Sequence, residues 1–431
     1  MIDKFEAVVV GSGISGLYVA NELIRSGVSV LLIAPEIGGL LAQVKLNGYT
    51  FDFGGHVYSG NNDRIKTLFK ETGVEVTHHR RDARYLSHEF GQIDYPVQGN
   101  AEEIGLKIQP NAERSGHSLK DYAQALFGDE FYEKWFRPFN KRVWTVDPSK
   151  MSSDWISLRV PPATSKSWGP NSTFVYTPGD ELIHTLLETF VSSGGQVYRG
   201  KAVLTLGNRH ILHLDDGTDI KYSKLFATTL DFLKEEITFN PTLLQNRILT
   251  IGIGFRPDRL FEWDDIFSFH WAYNDVKRQG HRITMLHKYS PSLAPFRHGL
   301  IIAEYPHSPM LKQGKRNNTH VYFSDPQKLA TKVAEDFGLP LPIDKAETGV
   351  TIDFIGYPIP LLETRKNVYK IKRQLAKKNI YACGRWGSHA YFNVEHCLDD
   401  ADAMLEYAFY ASSENEYFWS SHYYDIHNDK A

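Results

Sequence analysis

The 431-residue sequence predicts an α/β fold: a Rossmann-like dinucleotide-binding domain assembled from separated segments, a helical insertion, and a second, mixed β-sheet of about six strands. Three observations predict it. A β-α-β unit is complete by residue 34, an aromatic stretch with helical spacing occupies 115–160, and residues 245–325 alternate in strand fashion.

The elements follow in order. "FEAVVV" (5–10) is a short, nearly continuous apolar run ended by glycine, as a buried parallel strand requires. "SGLYVANELIRSG" (15–27) spaces its apolar residues as a helix and stops at Gly27. "VSVLLIA" (28–34) is a second buried strand. Residues 40–60 read as a β-ribbon running into a glycine-rich loop, and "NDRIKTLFKETGV" (62–74) as a helix. "HHRR" (78–81) reads as a solvated loop. "SLKDYAQALFGDEFYEKWFRPFNKRVW" (118–144) is helical and aromatic, and "PPATSKSWGPNST" (161–173) has the composition of a mobile loop. The amphipathic "DELIHTLLETFVSSGG" (180–195) leads into strands, including a pair turning at Asp216-Gly217. "LFATT" (225–229) is a strand ending in small polar residues. "NIYACGRWG" (379–387) is a strand ending in glycine, followed by a helix over 393–412. The tail after 413 is polar and aromatic and carries no motif. The expected partition is 1–75 with 190–240 and 375–412 as the nucleotide domain, and 110–165 as the helical insertion. Residues 76–109, 166–189 and 241–374 form the sheet domain, and 413–431 the tail.

Composition narrows the function. Hydrophobic residues make up 42% and charged residues 23%, an ordinary globular mixture. A net charge of −3 gives no electrostatic case for nucleic acid or an anionic membrane. No apolar run approaches the roughly 18–20 residues of a membrane span. The apolar N-terminus lacks a basic flank and is broken by glycines, so a signal peptide is not expected. Cys383 and Cys397, the two cysteines, provide neither a disulfide framework nor metal-ligand spacing. They read as packing residues in a cytoplasmic protein without a metal. No G-x-S-x-G elbow or H-E-x-x-H helix is present, which favours chemistry carried by a cofactor.

Gly11, Gly13 and Gly16 form G-x-G-x-x-G between strand and helix, with Ser15 inside the motif. The first glycine permits the tight turn, the second lets backbone approach a pyrophosphate, and the third lets helix pack on strand. Gly38 and Gly39 follow soon after the second strand. The acid expected at the end of that strand is Ala34, and Glu36 stands two residues on, beyond Pro35. Either Glu36 reaches back to a ribose, or backbone and water meet its hydroxyls. No basic residue in 34–39 favours a 2′-phosphate.

A G-x-G-x-x-G followed closely by Gly-Gly marks FAD proteins more than NAD proteins. At this point the chain resembles the UDP-galactopyranose mutases, within the wider amine-oxidase/protoporphyrinogen-oxidase-like flavoproteins. The similarity covers most of 5–410 in scattered motifs. "FDFGGHVYSG" (51–60) resembles the family's glycine-histidine segment beside the flavin, which carries to Gly54, Gly55 and His56. "IDYPVQGN" (93–100) is similar to its Tyr/Phe-Pro strand. "FRPFNKRVW" (136–144) resembles the helix that holds uridine and points to Phe139, Asn140 and Trp144. "TFVYTPGDELI" (173–183) carries a substrate tyrosine to Tyr176, and "HRITMLHK" (281–288) a diphosphate-binding arginine to Arg282. "GYPIP" (356–360) carries another substrate tyrosine to Tyr357. "GRWGSHAYFNVEH" (384–396) resembles the closing segment, with Gly384 and Arg385 at the flavin and Tyr391 on diphosphate. Asn393 stands where bacterial members often have Asp.

The resemblance implies a GR2-type FAD-binding domain and an isomerase. Its activity would interconvert pyranose and furanose forms of a nucleotide sugar through a sugar adduct at N5 of reduced FAD, with NAD(P)H as reductant. His56, Arg282, Tyr391 and Arg159 are the expected catalytic residues, and homo-oligomerisation is left open. Two departures stand out. In "LRVPPATSK" the family's mobile-loop arginine is replaced by Ala163, leaving Arg159 or Lys166 to substitute, and a lysine is a point charge rather than a bidentate fork. Ala34 is the other. Together they imply a relative with a changed sugar or nucleotide. The alternatives are an FAD-dependent oxidoreductase of the amine oxidase or protoporphyrinogen oxidase type, and a protein that uses FAD structurally.

Read singly, the same residues say less. His56 alone is a satisfied histidine, Trp144 is a packing anchor or a stacking surface for a base, and the tyrosines are three of 23.

Overall fold

The structure, a computed structural model, describes residues 3–110, 116–156, 172–203, 210–230, 243–256, 267–308 and 319–419. Strand β1 (Asp3–Val10), helix α1 (Ile14–Arg25) and strand β2 (Val30–Ile33) form the expected β-α-β unit. β1 and β2 pair in parallel within a seven-stranded sheet. Its other strands are 196–198, 202–203, 211–214, 219–227 and 380–382. The sheet therefore draws on the start, middle and end of the chain, and 380–382 runs parallel to the C-terminal half of 219–227. All four residues of β2 are buried. On one face α1 packs with helices 179–192 and 394–410 around Leu17, Leu23, Phe190, Leu398 and Met404. The opposite face buries Leu31, Ile33, Leu225, Ile371 and Leu375. Covering on both faces is why these strands read as continuous apolar runs.

The second sheet is mixed and has eight strands rather than about six. Its order is 320–323, 346–358, 245–255, 299–307, 282–285, 271–274, 83–87, 91–94. Neighbours are antiparallel except 271–274 with 83–87. The excess over six arises because the sheet recruits a hairpin far upstream and the strand Ala346–Pro358 far downstream of the alternating region.

Helices 119–131 and 137–144, joined by a π-helical turn at 132–136, bury an aromatic core that includes Phe127, Phe131, Trp135, Phe139 and Trp144. The first helix is fixed at its start by a capping box, with Ser118 and Asp121 bonding each other's backbone N–H groups.

One expectation is corrected, and one stretch without a motif gains a structure. Thr77–Arg80 is a strand paired with Thr173–Tyr176, not a solvated loop, and His79 stacks on Phe174 at 4.9 Å. The tail contains a helix, Glu414–Trp419, whose Tyr417 and Phe418 are buried in the core of the nucleotide domain. Polar neighbours in sequence hid both. No described helix is long and apolar enough to cross a membrane.

Candidate active site

The glycine loop closes where its spacing requires. A Cβ on Gly16 would lie 1.9 Å from the Gly11 carbonyl oxygen, so α1 leaves the loop in direct contact with it. Gly11 has φ +104°, and a Cβ there would meet Thr228 Oγ1 at 2.2 Å. Thr228 is one of the small polar residues ending "LFATT", which explains that strand's composition. Gly13 differs: its Cβ would come only within 3.8 Å of Gly39 Cα, and this leaves space above the helix start. The start of α1 has no side-chain cap and no acidic residue in its first turn. Its free N–H groups and positive dipole end suit an anion. The Gly38–Gly39 turn is tied to this loop, with Gly38 N donating to Ser12 O at 3.1 Å and Ser12 Oγ to Glu36 O at 2.8 Å. Glu36 thus joins the cradle through its carbonyl, while the residue itself is exposed. Ser15 is buried against Gly384, whose Cβ would lie 2.3 Å from Ser15 Oγ.

A second cluster forms around Arg282. Strand pairing sets Tyr273, Arg282 and Glu304 in one row across three strands. Arg282 grips both Glu304 oxygens, Nη2 to Oε1 at 2.9 Å and Nε to Oε2 more closely. Nη1 has no partner among the described residues. Gly54 and Gly55 lie on this pair: a Cβ on Gly54 would stand 3.0 Å from Glu304 Oε1, and one on Gly55 2.8 Å from Thr284 Oγ1 and 3.2 Å from Arg282 Nη2. Thr284 Oγ1 is buried without a hydrogen-bond partner.

His56 follows, half-buried, its N–H bonded to Gly54 O at 2.7 Å. Burial, then the charges of Arg385 and Arg282, push its pKa down to about 3. The imidazole is therefore neutral at physiological pH. Because the folded value lies below the unfolded 6.5, the unfolded chain binds a proton the native chain refuses. This contribution costs stability progressively as pH falls from about 6.5 toward about 3. His56→Gln is expected to remove it: Tm of the variant minus that of wild type should grow more positive from pH 7 to pH 4. An offset independent of pH would contradict the assignment.

Around this centre stands an aromatic wall. Tyr357 and Tyr391 meet edge to face at 5.0 Å, and Trp144 meets Tyr391 at 5.0 Å and Trp155 at 4.8 Å. Tyr95 lies 4.4 Å from Tyr273. Burial raises the pKa of Tyr95, Tyr273 and Tyr357, which keeps these hydroxyls neutral donors. Arg385 links the cradle to the wall. Its Nε and Nη2 donate to Phe392 O at 2.9 and 2.6 Å, and its guanidinium lies 5.6 Å from the Tyr357 ring centre.

The structure thus gathers Gly11, Gly13, Ser15, Gly16, Gly38, Gly39 and Gly384 into one cradle. It brings Gly55, His56, Arg282, Tyr357, Arg385, Tyr391 and Trp144 into an adjoining cluster. Phe139 lies beside that cluster, stacked on Trp135 at 4.7 Å. Asn140 is buried and donates to Phe136 O at 2.9 Å within its own helix. Asn393 caps helix 394–410. Tyr176 is fully buried elsewhere in the sheet core and donates to Asp52 at 3.0 Å, where burial lifts the carboxyl pKa to about 7. Arg159, Ala163 and Lys166 lie outside the described residues. Glu304, Tyr95, Tyr273 and Trp155 join the site without having been singled out in the sequence. Only strand register puts Glu304 opposite Arg282. Among the described residues no group of His, Cys, Asp and Glu is arranged to hold a metal.

Comparison with known proteins agrees with this architecture. Residues 9–72 match the family described as NAD(P)-binding Rossmann-like domain. A crystal structure of reduced UDP-galactopyranose mutase superposes with a TM-score of 0.78 over 96% of this chain and 97% of that one, at 19% identity. The chain thus resembles the mutase in fold from end to end. By sequence, it is 25% identical over 171 residues to chloroplastic protoporphyrinogen oxidase 1 of Spinacia oleracea, 34% of this chain and 30% of that protein. It is 32% identical over 102 residues to flavin-containing amine oxidase B of Homo sapiens, 23% of this chain and 19% of that protein. The alignments span less than a third of the curated relatives' length.

Proposed function

We propose that this protein binds FAD in the glycine cradle and interconverts the pyranose and furanose forms of a nucleotide-activated sugar. The observation that carries the reading is Arg282, held by Glu304 among tyrosine hydroxyls with Nη1 unpartnered among the described residues. The uncapped start of α1 and the space above Gly13 fit a pyrophosphate. The end-to-end likeness in fold to a reduced UDP-galactopyranose mutase supports the choice of chemistry.

When bound, reduced FAD supplies an electron-rich centre toward the sugar's anomeric carbon, with NAD(P)H as the expected reductant. The chain's own part is electrostatic. Arg282 Nη1 and the hydroxyls of Tyr357 and Tyr391 donate to the diphosphate as it departs, where charge develops away from bulk water. Glu304 fixes the guanidinium plane, so no reorientation is needed at that moment. Neutral His56 offers a hydrogen bond without adding to the site's charge. Phe139 and Trp144 present aromatic surface for the base.

The test is redox-specific. Dithionite-reduced protein should convert a nucleotide-hexopyranose into its furanose form, and oxidised protein should not. Equal rates in both states, or steady oxygen consumption with an amine substrate, would sink the reading. Tyr391→Phe is expected to weaken nucleotide-sugar binding about tenfold, the loss of one hydrogen bond to a charged group, while the protein stays yellow. Loss of flavin would reassign Tyr391 to the cofactor. A second reading, an FAD-dependent oxidoreductase, is favoured by the sequence similarity to amine and protoporphyrinogen oxidases. Substrate-dependent oxygen consumption is its signature.

A further inference from the structure

The turn 384–388, which carries Gly384 and Arg385, is held from behind by buried charge. Asp400 Oδ2 accepts from Gly384 N at 2.7 Å and from Ser388 Oγ at 2.6 Å, so one carboxylate oxygen pins both ends of the turn. Its other oxygen, Oδ1, faces Lys372 Nζ at 3.4 Å. That ammonium also donates to the Tyr417 carbonyl at 2.9 Å and lies 4.6 Å from the Tyr417 ring centre. The Tyr417 hydroxyl in turn accepts from Ala382 N at 3.1 Å, at the end of the strand leading into the same turn. The side chains of Lys372 and Asp400 are 0% and 2% exposed.

Such a pair is a poor way to gain stability, because desolvation offsets most of its attraction. It is a good way to specify geometry, because few arrangements satisfy every donor and acceptor in a dry interior. What it specifies here is narrow. The turn is wedged between the glycine loop, at Ser15, and the nucleotide sheet, where a Cβ on Gly387 would stand 2.7 Å from Ala227 O. A shift of the turn would move Gly384 against the cradle and Arg385 against Tyr357 together.

We propose that Asp400, Lys372 and Tyr417 are positioning residues for the flavin, locking the cofactor-edge turn from behind through helices 364–376, 394–410 and 414–419. The proposal rests on the FAD reading above. The experiment compares the full-length wild type with Asp400→Asn and Tyr417→Phe. It measures FAD dissociation constant, flavin absorption bands, flavin midpoint potential, and far-UV circular dichroism of the apoprotein. Asp400→Asn should raise the FAD dissociation constant tenfold or more and shift both bands and potential. Tyr417→Phe keeps the ion pair and removes the acceptor of Ala382 N. It should raise the constant about threefold with a smaller spectral shift, and its apoprotein dichroism should match wild type. If Asp400→Asn fails to fold, Tyr417→Phe decides alone. Folded variants with wild-type affinity, bands and potential would overturn the proposal and leave the network purely structural. A wild type that binds no FAD would show instead that the cofactor reading had failed, and the proposal with it.

Discussion

An Arg282→Met variant is expected to lose at least about 100-fold in nucleotide-sugar turnover, the cost of removing a donor aimed at developing charge. It should also lose about 3–5 kcal/mol of stability, because Glu304 is left buried without its cation. Glu304 is 2% exposed, and the guanidinium satisfies both its oxygens. Arg282→Met combined with Glu304→Leu removes both charges and should recover most of the stability while turnover stays lost. Urea unfolding, beside the reduced-enzyme assay, separates the two effects. A double variant that regains activity would show that Arg282 acts only as a partner for Glu304.

The second large effect is expected from Gly16→Ala. The added methyl would sit 1.9 Å from the Gly11 carbonyl oxygen and 2.8 Å from its carbon, both backbone atoms. Gly11 has little freedom to yield. Its N–H bonds Ile33 O at 2.9 Å, and the site of its own missing Cβ is taken by Thr228. The variant should lose FAD binding and more than about 3 kcal/mol of stability, beyond the usual range for overpacking. Gly27→Ala is the control. Gly27, unlike Gly16, has positive φ, +77°, and nothing lies within 4 Å of a Cβ there. It should cost about 1 kcal/mol, the penalty for the left-handed backbone alone, and keep FAD. Apoprotein titration with FAD and thermal melts would check both. A Gly16→Ala protein that binds FAD like wild type would show that FAD does not depend on the glycine cradle.

Much of the nucleotide domain was legible because its signals are local. β1, α1 and β2 follow one another without a break, so apolar runs, helical spacing and three glycines carry the whole unit. Gly54 and Gly55 were expected beside the flavin from the resemblance, and nothing local in the sequence showed that they pack on the Arg282–Glu304 pair. The second sheet was only half legible. Alternation marked 245–325, but nothing local says that 83–94 and 346–358 join it. Phe139 and Trp144 were visible as aromatics on a basic helix, yet the depth of their packing against Trp135 and Trp155 was not.

By itself, then, the sequence determined the β-α-β unit, its glycine cradle and the mixed α/β class, because backbone propensity and side-chain period act between near neighbours. Only the tertiary structure decided which polar groups meet. Arg282 finds Glu304 across 22 residues through strand register. Tyr176 finds Asp52 across 124 residues within the core of the second sheet. Lys372 finds Tyr417 across 45 residues, where a tail without any motif folds back onto the nucleotide domain. Most buried charges and hydroxyls are satisfied wherever the packing leaves them. Their partners are therefore chosen by the arrangement of whole elements and leave no mark in the residues around them.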